Sequence, residues 1–223
     1  MKVRWEEWTM SSNLLVELGF TAISLFTLLA YHGYLVFKVR THPLKTSIGM
    51  TNRLRGEWVK TVMEKNGISW PCKRFVIGLW PPSFLTSTAI LLAIGILNVV
   101  FKSEGLSAII KAVNPVCSQN ETLWFVKLLL LTVGFFFAFF NFSLAIRYYN
   151  HASYMINVPL ERDSLASPDY VAQVLHRGTH HYTIGMLAYY MAIPFALWLF
   201  GPTWFLIGTL ILVIVYSSWT ECL

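Results

Sequence analysis

Between His176 and Gly185 the chain reads HRGTHHYTIG, three histidines and one arginine within six residues. Imidazoles at this density can ligate a metal, hold a haem, relay protons or, beside a guanidinium, seat an anion. On a helix His176 and His180 share a face at i, i+4, the spacing of the H-E-x-x-H zinc motif. In that motif the second residue is the general base. Here it is Arg177, a cation that repels a metal and takes no proton. No close carboxylate pair supplies further ligands, so no metal is expected. A haem needs axial histidines on two helices at matched depth. His32 and His151 are the pair to try, but His151 lies beyond the apolar run that precedes it. The chain has no G-x-S-x-G elbow and no recognisable Ser–His–acid context. No catalytic residue and no cofactor is expected.

An anion site fits the residue types better. Arg147, followed by Tyr148, Tyr149, Asn150 and His151, ends one apolar stretch; Arg177, His180 and His181 precede another. Arginine is a planar fork of donors suited to phosphate or carboxylate, and partly protonated histidine adds to it. His32, Arg147, His151, Arg177, His180 and His181 together could hold a phosphate, a lipid head group or a permeating anion. The plainer alternative is that these donors satisfy helix ends and carbonyls without any ligand.

The elements that would carry these residues are membrane helices. Of 223 residues 56% are hydrophobic and 13% charged, where a soluble domain has about 25% charged. The mean hydropathy of +0.56 agrees. An all-α, polytopic helical bundle follows, because lipid leaves backbone groups only intrahelical partners. Four stretches are long enough to cross: 13–37, 82–101, 123–146 and 194–216. They form one domain, 1–223, with loops at 38–81 and 147–193. The first stretch is too long for a signal-peptide core and has no small-residue cleavage site after it. Between 184 and 219 the apolar run exceeds one simple span, and Pro194 and Gly201-Pro202 interrupt it. One kinked span behind an interfacial lead-in, or two short spans, both fit.

Charge orients the chain. Residues 38–74 hold nine Lys or Arg and 147–182 hold three more, so twelve of seventeen fall on one side. The positive-inside rule makes that side cytosolic and puts both termini outside, in the plasma membrane or a secretory-pathway membrane. Asn120-Glu121-Thr122, a glycosylation acceptor pattern, then falls in an outward loop. All six histidines fall at or near the cytosolic face. The cysteines, Cys72, Cys117 and Cys222, are odd in number and lack metal-type spacing.

The first basic loop reads as a helix from about Thr51 to Lys65. Leu54, Trp58 and Val62 recur at i, i+4, i+8, while Arg53, Arg55 and Lys60 flank Trp58. Such an interfacial amphipathic helix lies on anionic inner-leaflet lipids or packs on the bundle. The second loop opens a helix at Ser167-Pro168-Asp169, with a capping hydroxyl and a proline in the first turn. Gly178 weakens that helix. Asn98, Asn141 and Ser143 are polar points inside spans that can join helices.

The segment YHGYLVFKVRTHPLKTSIGMTNRLRGEWVKTVM resembles a membrane family catalogued as domain of unknown function 599. The resemblance is carried by Tyr31, His32, Pro43, Thr46, Gly49, Arg55 and Trp58. IRYYNHASYMIN and RGTHHYTIGMLAYYMAIPFALWLFGP are also similar, and the likeness runs from about residue 20 to 216. The chain departs from the family near Phe75–Pro82, where FVIGLWPP replaces a Gln and an Arg-Asn pair. The resemblance implies a multi-pass helical protein and brings no activity or catalytic residue.

These readings converge on a non-enzymatic membrane protein with an Arg/His site on its cytosolic face. A chain of this size has few helices with which to enclose a pore alone, so transport or channel activity would need an oligomer. A scaffold or accessory subunit beside an unlike membrane partner is the alternative, and a lipid-modifying enzyme a distant third. Membrane lipids are expected partners and nucleic acid is not. Glu17 and Lys127 each lie four residues inside the outer end of a span, at similar depth, where an unpaired charge costs a few kcal/mol. They are expected to pair. Reversing either charge should lower the yield of monodisperse protein, and reversing both should restore it.

Overall fold

The computed structural model describes residues 19–31, 33–34, 37, 41, 47–64, 70–102, 121–158 and 167–221, without the side chains of 47–49, 70–79, 121 and 218–221. His32, Glu17 and Asn120 lie outside the described residues. All described secondary structure is helical. The helices are α1 (Gly19–Tyr31), α2 (Ser47–Glu64), α3 (Trp70–Phe101), α4 (Glu121–Ile156) and α5 (Pro168–Leu197). A 3-10 turn, Trp198–Phe200, joins α5 to α6 (Pro202–Glu221).

Among the described residues three segments are long and apolar enough to cross a membrane: Trp80–Phe101, Thr122–Ile156 and Pro168–Phe200. Gly19–Tyr31 and Pro202–Ser217 are shorter apolar helices. Large apolar side chains stand outward, with Phe26 at 74% and Phe101 at 80% exposure. Surfaces of this kind are stable in hydrocarbon and not in water. This is the architecture of an integral membrane protein.

The chain divides into two compact units. The first comprises 1–41, 92–134 and 190–222, the second 42–91 and 135–189.

In the second unit α4 and α5 run antiparallel in close contact. A Cβ on Gly178 would stand 2.9 Å from the Tyr149 ring, and one on Gly185 would stand 2.8 Å from the Phe142 ring. Both the glycines and the rings are seven residues apart. A seven-residue repeat keeps a seam facing its partner when two helices cross with left-handed twist. Phe135 meets Tyr189 edge-on at 5.6 Å, and the Tyr189 hydroxyl reaches Thr88 Oγ1 at 3.4 Å. Farther along the same seam α2 joins, and Val59, Met63, Ala152, Val171, Val174 and Leu175 are buried together. The α5 start follows the sequence: Ser167 Oγ accepts the Tyr170 N–H at 3.3 Å, and Pro168 opens the helix.

In the first unit α6 folds back along the end of α5. Trp198 stacks on Phe205 at 5.3 Å, Tyr190 meets Tyr216 at 5.7 Å, and a Cβ on Gly208 would fall 2.6 Å from Leu197 Cδ1. Leu28, Trp198, Phe205 and Leu212 form one buried cluster; Val100, Trp124 and Leu128 form another. Lys127 is 3% exposed. Its ammonium lies 4.9 Å from the centre of a Trp198 ring and donates to the Trp198 carbonyl at 3.5 Å.

Several boundaries differ from the sequence reading. The α2 helix begins at Ser47, a turn before Thr51, so Thr51 is interior and caps nothing. The α3 helix starts at Trp70, with Pro71 in its first turn, and passes through Pro81 and Pro82 unbroken. The α4 helix runs to Ile156 and α5 already begins at Pro168, so most of 147–193 is helix rather than loop. Gly178 interrupts nothing, because close packing on Tyr149 uses its missing side chain. Pro194 also stays within helix; the break falls at Gly201-Pro202. Gly201 has φ 140° and ψ 165°, a region open to glycine alone, and Pro202 then presets the next helix.

Gly201→Ala should therefore lower stability by about 1–3 kcal/mol. Gly95→Ala, where an added Cβ meets nothing within 4 Å, should not. Thermal unfolding in detergent distinguishes the two.

Candidate functional site

The Arg and His residues expected to cluster are spread along two helices. Arg147 and His151 on α4, and His176, Arg177 and His180 on α5, are exposed. Arg147, His151 and Arg177 make no hydrogen bond or ion pair with another described residue. His181 turns inward instead. Its ring stacks on Tyr148 at 5.5 Å with 7° between planes, and Nδ1 lies 3.2 Å from Asn141 Oδ1. The Asn141 amide nitrogen donates to the Phe137 carbonyl at 2.9 Å, which leaves Oδ1 as the acceptor. His181 therefore carries its proton on Nδ1 and helps join α4 to α5, the helix-joining role expected of Asn141.

The structure gathers a different set. A cavity of about 610 Å³ lies within the second unit. Its walls are Thr51, Leu54, Arg55 and Trp58 from α2, Pro81 and Pro82 from α3, Tyr149 from α4, and Leu175, Thr179 and Tyr182 from α5. Thr51, Arg55 and Trp58 are at i, i+4 and i+7, so one face of α2 supplies a hydroxyl, a guanidinium and an indole. Val59 and Met63, on another side of α2, are buried. Of the residues assigned to a membrane-surface helix, Arg53 is exposed, and Arg55, Trp58 and Lys60 are half-buried.

The cavity is amphiphilic. Arg55 donates to Asn52 Oδ1 at 3.1 Å and makes no other hydrogen bond or ion pair with a described residue, while its charge acts on the Tyr149 hydroxyl across the cavity. The Tyr149 hydroxyl donates to Thr179 Oγ1 at 3.3 Å, and Thr179 donates to the Leu175 carbonyl at 3.1 Å. Leu54, Trp58, Pro81, Pro82 and Leu175 are apolar wall. One cation, a few hydroxyls and a broad apolar wall suit a ligand with one anionic end and an apolar body.

A second cavity, of about 460 Å³, is lined by Asn52, Arg55, Gly56, Asp169, Ala172, Gln173 and His176. Arg55 borders both. At its edge Lys60 pairs with Asp169 at 3.2 Å. The hydrogen bond that Lys60 donates to Asp169 raises the ammonium's pKa above its ordinary value. The two side chains are 42% and 77% open to solvent, so the pair aligns α2 and α5 more than it stabilises them.

Sequence reasoning found Arg55 and Trp58 but missed Pro81, Pro82, Tyr149, Thr179 and Tyr182. The register Thr51, Arg55, Trp58 was readable as one mixed face. The other walls come from helices remote in sequence, and no local pattern announces them.

The Tyr149 wall rests on Gly178. Gly178→Val should push the ring into the cavity and destabilise the protein by about 1–3 kcal/mol, read by thermal unfolding. Tyr149→Phe, which loses one hydroxyl contact, should cost about 1 kcal/mol.

Comparison with known proteins completes this description. No curated protein and no solved structure matches the chain. A family model does match residues 20–219, nearly the whole chain and all four helices that carry the seam and both cavities. The chain belongs to the family described as "Protein of unknown function, DUF599".

Proposed function

We propose that this is a non-enzymatic membrane protein that binds an anionic amphiphile in the cavity beneath α2. The observation that carries the reading is Arg55. It is half-buried, has donors that bond to no described residue, and faces a space whose remaining walls are hydroxyl and apolar groups. A phosphate or carboxylate would take the guanidinium, and the apolar body would lie along Trp58, Pro81 and Leu175.

The charge pattern supports placing α2 and both cavities on the cytosolic side, within reach of inner-leaflet lipids. The hairpin at Gly201-Pro202 bears on the number of crossings. Four crossings with both ends outside need 194–216 to be a single limb. A reversal at 201 supports α5 and α6 as separate limbs, and the 20 residues of α6 span about 30 Å, enough for hydrocarbon. Five crossings put the N-terminus outside and the C-terminus in the cytosol. Transport, as distinct from binding, would need the oligomer expected from the sequence; a partner-bound accessory role would need none.

Purified protein in detergent, titrated with phosphatidic acid or phosphatidylcholine and read by native mass spectrometry, tests the site. Phosphatidic acid should be retained preferentially, and Arg55→Ala should abolish the preference. Arg177→Ala should leave it unchanged. If Arg177→Ala removes the preference and Arg55→Ala does not, the site is the exposed Arg/His group and not the cavity.

A further inference from the structure

Arg55 lines two cavities of unlike character. The larger has apolar walls; the smaller is bordered by amides, an imidazole and a neutralised carboxylate. A phosphate monoester would need only the first. A phosphodiester held at the same guanidinium has two substituents, and two spaces meet there.

We infer that the ligand is a phospholipid with a polyhydroxyl head group, its phosphodiester on Arg55, its acyl part in the larger cavity and its head in the smaller. This rests on the proposed function and adds the class of head group. The choice follows from charge. Asp169 is the one carboxylate lining the smaller cavity, and it already pairs with Lys60 at 3.2 Å. With that carboxylate engaged by Lys60, no uncommitted carboxylate among the described lining residues is left for the ammonium of ethanolamine or choline. Gln173 and His176 remain, and both can donate and accept hydrogen bonds. Neutral hydroxyls, which also do both, complement them. Asn52 holds Arg55 through its amide oxygen and leaves its amide hydrogens toward a ligand.

Native mass spectrometry with phosphatidylinositol, phosphatidic acid and phosphatidylcholine of matched chains tests the inference. Phosphatidylinositol should bind about three- to tenfold more tightly than phosphatidic acid, the gain of one or two hydrogen bonds. Gln173 is exposed, so Gln173→Leu should fold. It should bring phosphatidylinositol to the level of phosphatidic acid and leave phosphatidic acid unchanged. Arg55→Ala should weaken both. Glycerophosphoinositol, the same head without chains, should not compete at equal concentration.

Equal binding of the two anionic lipids would overturn the head-group assignment and leave the anion site standing. So would equal weakening of both by Gln173→Leu, or competition by glycerophosphoinositol. Failure of either anionic lipid to exceed phosphatidylcholine, with Arg55→Ala without effect, would overturn the anion site as well.

Discussion

Close approach of α4 and α5 at two glycines governs the second unit. Phe142 and Tyr149 each occupy the place of a side chain that Gly185 and Gly178 lack. Hydrocarbon offers no hydrophobic force between apolar helices, so their association depends on contact area and on polar joins. The glycines supply the first by admitting whole rings. Asn141 with His181, and Tyr149 with Thr179, supply the second. Once the two helices are fixed at this distance, Tyr149, Thr179 and Leu175 become one wall, and α2 has a surface to cover.

The α2 helix is amphipathic in three directions. Val59 and Met63 are buried against Ala152, Val171 and Leu175. Thr51, Arg55 and Trp58 face the cavity, and Arg53 and Leu54 stand exposed. Packing on the bundle uses only one side of this helix and leaves its basic residues Arg53 and Arg55 out of the buried cluster. A half-buried guanidinium is costly unless hydrogen-bonded. Asn52 offsets part of that cost, and an anionic ligand would offset the rest.

Much of the fold was legible because membrane helices obey one strong rule. Apolar runs had to be helical, and Ser167-Pro168-Asp169 marked the α5 start correctly. The proline positions misled, since Pro82 and Pro194 fall at the margins of apolar runs yet lie inside helices. A proline inside a helix leaves the carbonyl four residues before it without its usual donor, and membrane helices tolerate this wherever neighbouring groups satisfy that carbonyl. Gly178 was read as a weak point because propensity counts entropy and not the partner that a missing side chain admits. The site was less legible. His176, Arg177, His180 and His181 cluster in sequence, but a helix distributes four such residues around its circumference. Only His181 points to α4. The cavity joins positions from 51 to 182, and such joins exist only after tertiary packing.

The contact of Lys127 with Trp198 has a bearing on biogenesis. Where the α5 hydrogen-bond ladder gives out, the Trp198 carbonyl takes the Gly201 N–H at 3.2 Å and the Lys127 ammonium at 3.5 Å. A ribosome adds Lys127 to the chain 71 residues before it reaches Trp198. During that interval the ammonium lacks both the indole face and the carbonyl that later receive it. The contacts that Trp198 gives this lysine are thus the last to form, and they wait on the hairpin that follows α5.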